Sequence, residues 1–591
     1  MSTDTIKKGG SFFIEDHAPN DIFTPEDLTE EHKMIAKTTD DFAREQVLPV
    51  LEEIEQHNFE HSERLLKEAG ELGLLGADVP EKYEGLGLDK ISSTLITEKF
   101  ALARSFGLSH GAHVGIGTLP IVFFGNEEQK KKYLPGLATG QTIAAYALTE
   151  PVSGSDALGA KTTATLTEDG KHYILNGEKQ WITNSAFADV FVVYAKVDGD
   201  KFSAFIVEKE YPGVSTGPEE KKMGIKGSST RTLILEDAKV PAENLLGEVG
   251  KGHVIAFNIL NIGRYKLAAG ALGSAKRVIE VSTNYAKERK QFNIPIAKFG
   301  LIREKLANMT AKTFALESMV YRTGGYFDES LSTVDVDDGE AFAKGISEYA
   351  LECSINKVFG SEVLDYVADE GVQIHGGYGF MQEYEVENIY RDSRINRIFE
   401  GTNEINRLLI PATLMRKAMK GELPLLQVAQ GLQEELLTMM PAMPEENPAA
   451  LEIEAKKIAH AKKIFLMTAG LAVEKYQQDL QKQQEILRDL ADIGIELYAM
   501  ESAYLRTLKA IEKVGEEKAA AKIDLVTAYV NDGFAKIEAF SRHTMAAMEE
   551  GDTLRTQLSI LKKLTRFDPI NEVALKQEIA KRVIEAGKYT V

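Results

Sequence analysis

The chain has 591 residues, 43% of them hydrophobic and 27% charged, and its 90 acidic against 69 basic side chains leave a formal charge of −21. At roughly 100–200 residues per domain this length holds three to five folded units, and so negative a surface excludes nucleic acid as a partner without forbidding a small anion in a locally positive cleft. Cys353 is the lone cysteine, which rules out an intrachain disulfide and a Cys-based zinc cluster; no metal is expected.

The opening MSTDTIKKGG lacks the apolar core of a secretory signal. From about 26 to 145 the chain reads as helical. Thr24-Pro25-Glu26-Asp27 opens a run with Met34, Ile35, Phe42, Val47 and Leu51 at helical spacing, and Asn126-Glu127-Glu128-Gln129 starts another that ends near Pro135-Gly136. At about 142 the texture changes to short segments rich in β-branched and aromatic residues: 142–148, 162–166, 172–176, 190–196, 202–208 and 230–235. Turns at Asp169-Gly170, Asn176-Gly177 and Asp198-Gly199 separate them, which predicts an antiparallel barrel or sandwich. From 251 to 415 the spacing is helical again (Ile259, Ile262, Leu267, Ala271; then Leu301, Leu306, Met309, Phe314). A third helical block follows 420, interrupted at Pro441, Pro444 and Pro448, with stripes at Ile458, Phe465, Ala469, Ala472 and Tyr476 and at Leu490, Ile493, Leu497 and Tyr504. Its apolar runs, such as 464–473, are about ten residues, short of the ~20 that span a bilayer. A soluble, cytoplasmic chain is therefore expected.

The predicted class is α+β, mostly α. It comprises an N-terminal helical domain (1–145), a central antiparallel β-barrel (146–250), a C-terminal helical bundle (251–415) and an extra C-terminal helical domain (416–591). No strand alternates with a helix, and no Gly-x-Gly-x-x-Gly opens a helix after a strand, so a doubly wound dinucleotide domain is not expected.

Three segments carry chemistry. The small residues of Ala147-Leu148-Thr149-Glu150-Pro151-Val152-Ser153-Gly154-Ser155-Asp156 let backbone approach a flat ring or phosphate closely, although alone they read first as a polar β-turn. This stretch, Gln373-Ile374-His375-Gly376-Gly377-Tyr378-Gly379-Phe380 followed by Arg391-Asp392, and Ile398-Phe399-Glu400-Gly401-Thr402-Asn403 resemble, in order and spacing, the two signatures and the catalytic loop of the acyl-CoA dehydrogenase family. The resemblance covers about residues 25–415.

That resemblance implies FAD held by Leu148, Thr149, Gly154 and Ser155, with Trp181 beside the isoalloxazine ring and Thr183 bonded near flavin N5. Thr402 and Glu404 touch the flavin by position. Arg289, Gln291 and Phe292, with Gln373 and Gly377, are implied to contact FAD bound mainly by a neighbouring subunit; an arginine fork suits a diphosphate. His375 is expected to be structural. Glu400 is the implied base, since removing the weakly acidic α-proton of a thioester needs a carboxylate whose pKa a dry pocket has raised. Phe399 and Gly401 supply an apolar wall and room for substrate, beside Arg264. The position before that arginine, where another branch carries its base, is Gly263. Gly115 and Gly117, in Gly111-Ala112-His113-Val114-Gly115-Ile116-Gly117, fall where the family floors its acyl pocket; a close helix crossing explains them as well.

The block from 420 resembles the C-terminal extension of the very-long-chain branch, most clearly at 490–500. The resemblance implies desaturation of long-chain acyl-CoA to trans-2-enoyl-CoA in fatty acid β-oxidation, an electron-transferring flavoprotein as acceptor, and a homodimer. An acyl-CoA oxidase and a non-enzymatic assembly factor on the same fold are the alternatives. Leu and Met within 423–443 and the cluster Lys456, Lys457, Lys462 and Lys463 raise a peripheral membrane contact as a further expectation.

Overall fold

In the computed structural model, which describes residues 6–335, 338–438 and 448–591, the first long helix α1 (Glu30–Phe42) is capped by Thr29, whose side chain accepts from the His32 amide. Thr24 instead opens a single 3-10 turn over Pro25–Asp27. Asn126 caps α3 (Glu127–Thr139) as expected, but that helix runs on through Pro135 to Thr139. Helix α2 (Lys90–Phe100) leads into a tight segment, Ser105–Gly111 followed by the π-turn Ala112–Gly117. His113 pins that segment: its ring accepts from the Ala144 amide at 3.0 Å and donates to the Leu137 carbonyl at 2.9 Å. Burial keeps this imidazole neutral, near 4.

The central layer is one eight-stranded sheet of β1 (Ala144–Ala147), β2 (Thr163–Leu166), β3 (His172–Thr183), β4 (Val190–Val197), β5 (Lys201–Glu208), β6 (Val214–Thr216), β7 (Thr230–Pro241) and β8 (Leu245–Leu246). The order is β6-β7-β3-β2-β4-β5-β8, with β1 beside β4. Antiparallel pairs dominate, but β1 and β2 both run parallel to β4, so the sheet is mixed where an all-antiparallel one was expected. Asn176-Gly177 reads as a turn yet lies inside β3. There the register slips between Leu175 and Gly177, and a Cβ on Gly177 would meet Thr162 at 2.4 Å.

Helices α4 (Gly252–Glu288), α5 (Gly300–Leu331) and α6 (Ala350–His375) form the bundle. Gly360 lets α6 close on α4, since a Cβ there would stand 3.0 Å from Ala268 Cα. Helix α7 (Asn403–Met419) follows the catalytic-loop segment. The extension adds α8 (Glu452–Tyr476), α9 (Gln484–Val514) and α10 (Glu516–Met548). Its core stripes, among them Ile458, Phe465, Leu490, Ile493 and Leu497, are buried as the spacing predicts. Charge also ties the extension down: buried Arg322 of α5 bonds Glu501 at 2.7 Å, and Arg506 bridges Glu26 at 2.9 Å and Glu317 at 2.7 Å.

The lysine cluster is not an exposed basic face. Lys462 is buried against Glu501 at 2.7 Å, Lys457 is buried on Asn531, Lys463 reaches Glu435 at 2.6 Å, and Lys456 reaches Glu452 at 3.1 Å. Among the described residues no helix is long and apolar enough to cross a membrane. Pro441, Pro444 and Met443 lie outside the described residues.

Candidate active site

A cavity of about 230 Å³ runs between α4, the 97–116 segment and the 389–400 segment. Gly263, Leu267, Gly270, Ala271 and Ser274 of α4 line it. Gly263 and Ser274 lie about 16 Å apart along the helix axis at 1.5 Å per residue, so the cavity is elongated. Gly111, Gly115 and Gly270 line it with nothing within 4 Å of where a Cβ would stand. Gly117 does not line it: a Cβ there would meet Ala144 Cβ at 2.9 Å, so this glycine serves a close crossing and not the pocket floor.

Glu400 and Phe399 close one end. Glu400 Oε2 is buried and accepts no hydrogen bond, and burial pushes this carboxyl up to about 7 against the pull of Arg264 and Lys357. Its backbone is strained, with φ at 57° at Glu400 and 79° at Gly401. Three side chains hold that kink through carbonyls. Arg264 Nε donates to Glu400 O at 3.2 Å, Lys357 Nζ to Gly401 O at 2.7 Å, and Asn406 Nδ2 to Gly401 O at 2.9 Å. Arg264, expected at the substrate, is therefore buried in the loop's support and is absent from the cavity wall. Lys357 is fully buried, and desolvation lowers it to about 8. Sequence reasoning missed it, because a lysine within a helix carries no local signal of what it will face. At Gly263 a Cβ would sit 2.6 Å from Glu400 Oε2, so the carboxylate fills the space a side chain there would need.

The 148–156 loop is anchored from below. Glu150 is buried on Lys179 at 2.6 Å and accepts the Thr162 amide at 3.1 Å, while the Gln180 amide donates to Thr149 O at 2.8 Å. Leu148 is buried, Gly154 and Ser155 are exposed, and a Cβ on Gly154 would meet nothing within 4 Å. The register of β3 slips again between Lys179 and Ile182. Trp181 there has φ 59° and is 59% exposed, a large flat face held outward at some backbone cost. Thr183 ends the strand in the cavity wall, and Asn184, also left-handed, is fastened to Ser109 O at 2.9 Å. An open glycine, an outward aromatic and a hydroxyl at the cavity together fit a planar cofactor. Thr402 caps α7 through the Ile405 amide, and Glu404 is exposed in that first turn.

Arg289, Gln291 and Gly377 line a second, open groove of about 440 Å³ that shares no residue with the first. Arg289 stacks over Tyr378 at 5.1 Å, Phe292 is 89% exposed beside it, and Gln373 is exposed. His375 stacks on Tyr285 at 4.1 Å and bonds Gly371 O at 2.7 Å, a structural arrangement. The two groups of residues thus line different cavities of one chain.

The sequence matches the family models described as "Acyl-CoA dehydrogenase, N-terminal domain" over 29–141, "middle domain" over 145–238 and "C-terminal domain" over 250–415, and a second "C-terminal domain" over 460–563. It is 66% identical to a "Probable acyl-CoA dehydrogenase" of Bacillus subtilis, across 99% of both chains. It is 36% identical to the bovine "Very long-chain specific acyl-CoA dehydrogenase, mitochondrial", covering 84% of this chain and 77% of that one. The crystal structure of an acyl-CoA dehydrogenase complexed with FAD from Bacillus anthracis superposes with a TM-score of 0.97 at 65% identity, over 99% of this chain and all of that one.

Proposed function

The chain belongs to the acyl-CoA dehydrogenase family, and on that footing we propose an FAD-dependent enzyme that desaturates long-chain fatty acyl-CoA to trans-2-enoyl-CoA with Glu400 as base. One observation carries the assignment of the base: a buried, unbonded carboxylate in the wall of an elongated, glycine-lined cavity. Its pKa near 7 matches a proton acceptor working at neutral pH. Bound FAD supplies the acceptor for the hydride that leaves the β-carbon. The chain's own part is to seat the acyl tail along α4, present Glu400 Oε2 to the α-proton, and keep water out. Leu148, Thr149, Gly154, Ser155, Trp181, Thr183, Thr402 and Glu404 would hold the cofactor. The three open glycines support a long tail, because they leave the cavity unblocked.

The finer readings belong to the same proposal. Electrons pass to an electron-transferring flavoprotein, the setting is fatty acid β-oxidation in the cytoplasm, and the working unit is a homodimer. The dimer is supported by Arg289, Gln291 and Gly377 lining a second groove that shares no lining residue with the first cavity, with Phe292 and Gln373 exposed, so that this group is open to a flavin carried by a second copy. Anaerobic titration of the yellow protein with acyl-CoA from butyryl to stearoyl tests the reading. The longer chains should bleach the flavin, and Glu400→Gln should bind them without bleaching. Flavin that stays oxidised at every length refutes it, and hydrogen peroxide formed in air with acyl-CoA alone would mark an oxidase.

A further inference from the structure

We propose that the C-terminal extension is part of the catalytic apparatus, with Asp492 of α9 a positioning residue that braces the loop carrying Glu400 through an unbroken relay of polar contacts. The proposal rests on Glu400 being the base. The relay begins at Gly401, the residue after Glu400, whose carbonyl accepts from Lys357 Nζ at 2.7 Å. The same ammonium donates to Asn403 Oδ1 at 2.7 Å. Asn403 Nδ2 donates to Ser361 Oγ at 3.0 Å and Glu362 Oε1 at 3.1 Å. Glu362 is gripped by the Arg407 fork at 2.6 and 2.9 Å, and Arg407 Nε reaches Asp492 Oδ1 at 2.7 Å.

Helical spacing makes this relay continuous. Lys357 and Ser361 lie four apart on one face of α6, with Glu362 beside them, and Asn403 and Arg407 lie four apart in the first turns of α7. Lys357, Ser361 and Asn403 are buried, so their bonds face little competition from water. Arg407 joins the bundle part of the relay to the extension. Its guanidinium is shared between a bundle carboxylate and an extension carboxylate, and it sits one turn from the loop's own helix cap. With Asp492 neutral, Arg407 loses the second carboxylate that fixes it, so Glu362 is held less rigidly and, through it, so are Asn403 and Lys357. The Glu400–Gly401 kink is backbone strain, which persists only where surrounding contacts over-determine it.

The test compares Asp492→Asn with Asp492→Glu and with Asp532→Asn, which cuts a different contact from the extension to the bundle, at Lys312. The readouts on full-length holoenzyme are flavin content, acyl-CoA dissociation constant and single-turnover flavin reduction. Asp492→Asn should slow reduction roughly three- to tenfold, within what residues along a coupling network change, with flavin content and dissociation constant unaltered. Asp492→Glu should recover most of the rate, and Asp532→Asn should leave it unchanged. An unchanged rate in Asp492→Asn overturns the proposal, as does an equal loss in Asp532→Asn, which would make the extension a general scaffold. If Asp492→Asn does not fold, Arg407→Lys removes the fork and keeps the charge, and an unaltered rate there is equally fatal. Glu400→Gln separates the two claims: bleaching in that variant removes the base, whereas a dead Glu400→Gln beside a normal Asp492→Asn removes only the relay.

Discussion

Gly263→Ala should separate the position of Glu400, the proposed base, from everything else in the site. A Cβ there would stand 2.6 Å from Glu400 Oε2, 2.9 Å from Cδ and 3.2 Å from Oε1. Ordinary contact begins near 3.4 Å, so the carboxylate must retreat by somewhat under 1 Å. The backbone cannot yield instead, because Arg264 and Lys357 hold the carbonyls of Glu400 and Gly401. The side chain must therefore leave its rotamer, at about 0.5–1.5 kcal/mol, and a misplacement near 1 Å costs on the order of 10²-fold in rate. Flavin reduction in anaerobic stopped flow should fall roughly ten- to a hundredfold. Alanine is the better helix former by about 0.5–1 kcal/mol, so Tm should hold and flavin content should not change. A reduction rate within about twofold of the parent would show that the carboxylate's position does not limit proton removal, and the reasoning from Gly263 would fail.

Stability should respond to the same carboxylate. Its pKa rises from 4.5 to about 7 on folding, so the folded state resists ionisation and loses stability as pH climbs through that window, by at most about 3 kcal/mol. Glu400→Gln should melt above the parent at pH 8 and level with it near pH 4.5, and a gap that widens on acidification would contradict this. The kcat/KM profile should fall below about pH 7 as the base takes up its proton. Gly115→Leu should cut activity on long acyl chains while sparing short ones. Gly117→Ala should instead lower Tm with no change in chain-length preference, and equal loss at all lengths in Gly115→Leu would contradict the cavity assignment. Lys179→Met leaves the Glu150 carboxylate buried and unpaired, at about 3–5 kcal/mol; the protein should purify with little flavin, read from its visible absorbance.

Helical periodicity made the mostly helical fold with its central sheet legible, and the glycine-flanked motif picked out Glu400 as the candidate base, since both depend on residues close in sequence. Asn176-Gly177 misled because a Gly at a bulge and a Gly at a turn satisfy the same backbone need, and only the partner strand distinguishes them. Gly115 and Gly117 stand two residues apart in one glycine run, yet one faces a cavity and the other β1. The π-turn decides which, and spacing alone cannot. Lys457, Lys462 and Lys463 looked like part of a basic face because their partners, Asn531, Glu501 and Glu435, come from distant parts of the chain, whereas Lys456 pairs with Glu452 one turn away on its own helix. Lys357 and Asp492 were invisible for the same reason: each is an ordinary helix residue until α6, α7 and α9 meet.

What suits Glu400 to the proposed role of base is where its neighbouring cations place their hydrogen bonds. A carboxylate that accepts donors directly is held ionised but loses basicity, because each bond favours the charged form. Burial without any cation would carry the pKa higher and leave the group protonated at neutral pH. Arg264 and Lys357 avoid both outcomes. Their donors go to the carbonyls of Glu400 and Gly401, so they fix the loop, while their charges act on the carboxylate only through space. Oε2 is left without a hydrogen-bond donor on a residue of the cavity wall, and the group sits near 7. Replacing Lys357 by Met should therefore raise the acid limb of the rate profile and loosen the loop together. Adding a donor to Oε2 should lower that limb without loosening anything. A Lys357→Met enzyme whose limb stays near 7 would mean that burial alone sets the base.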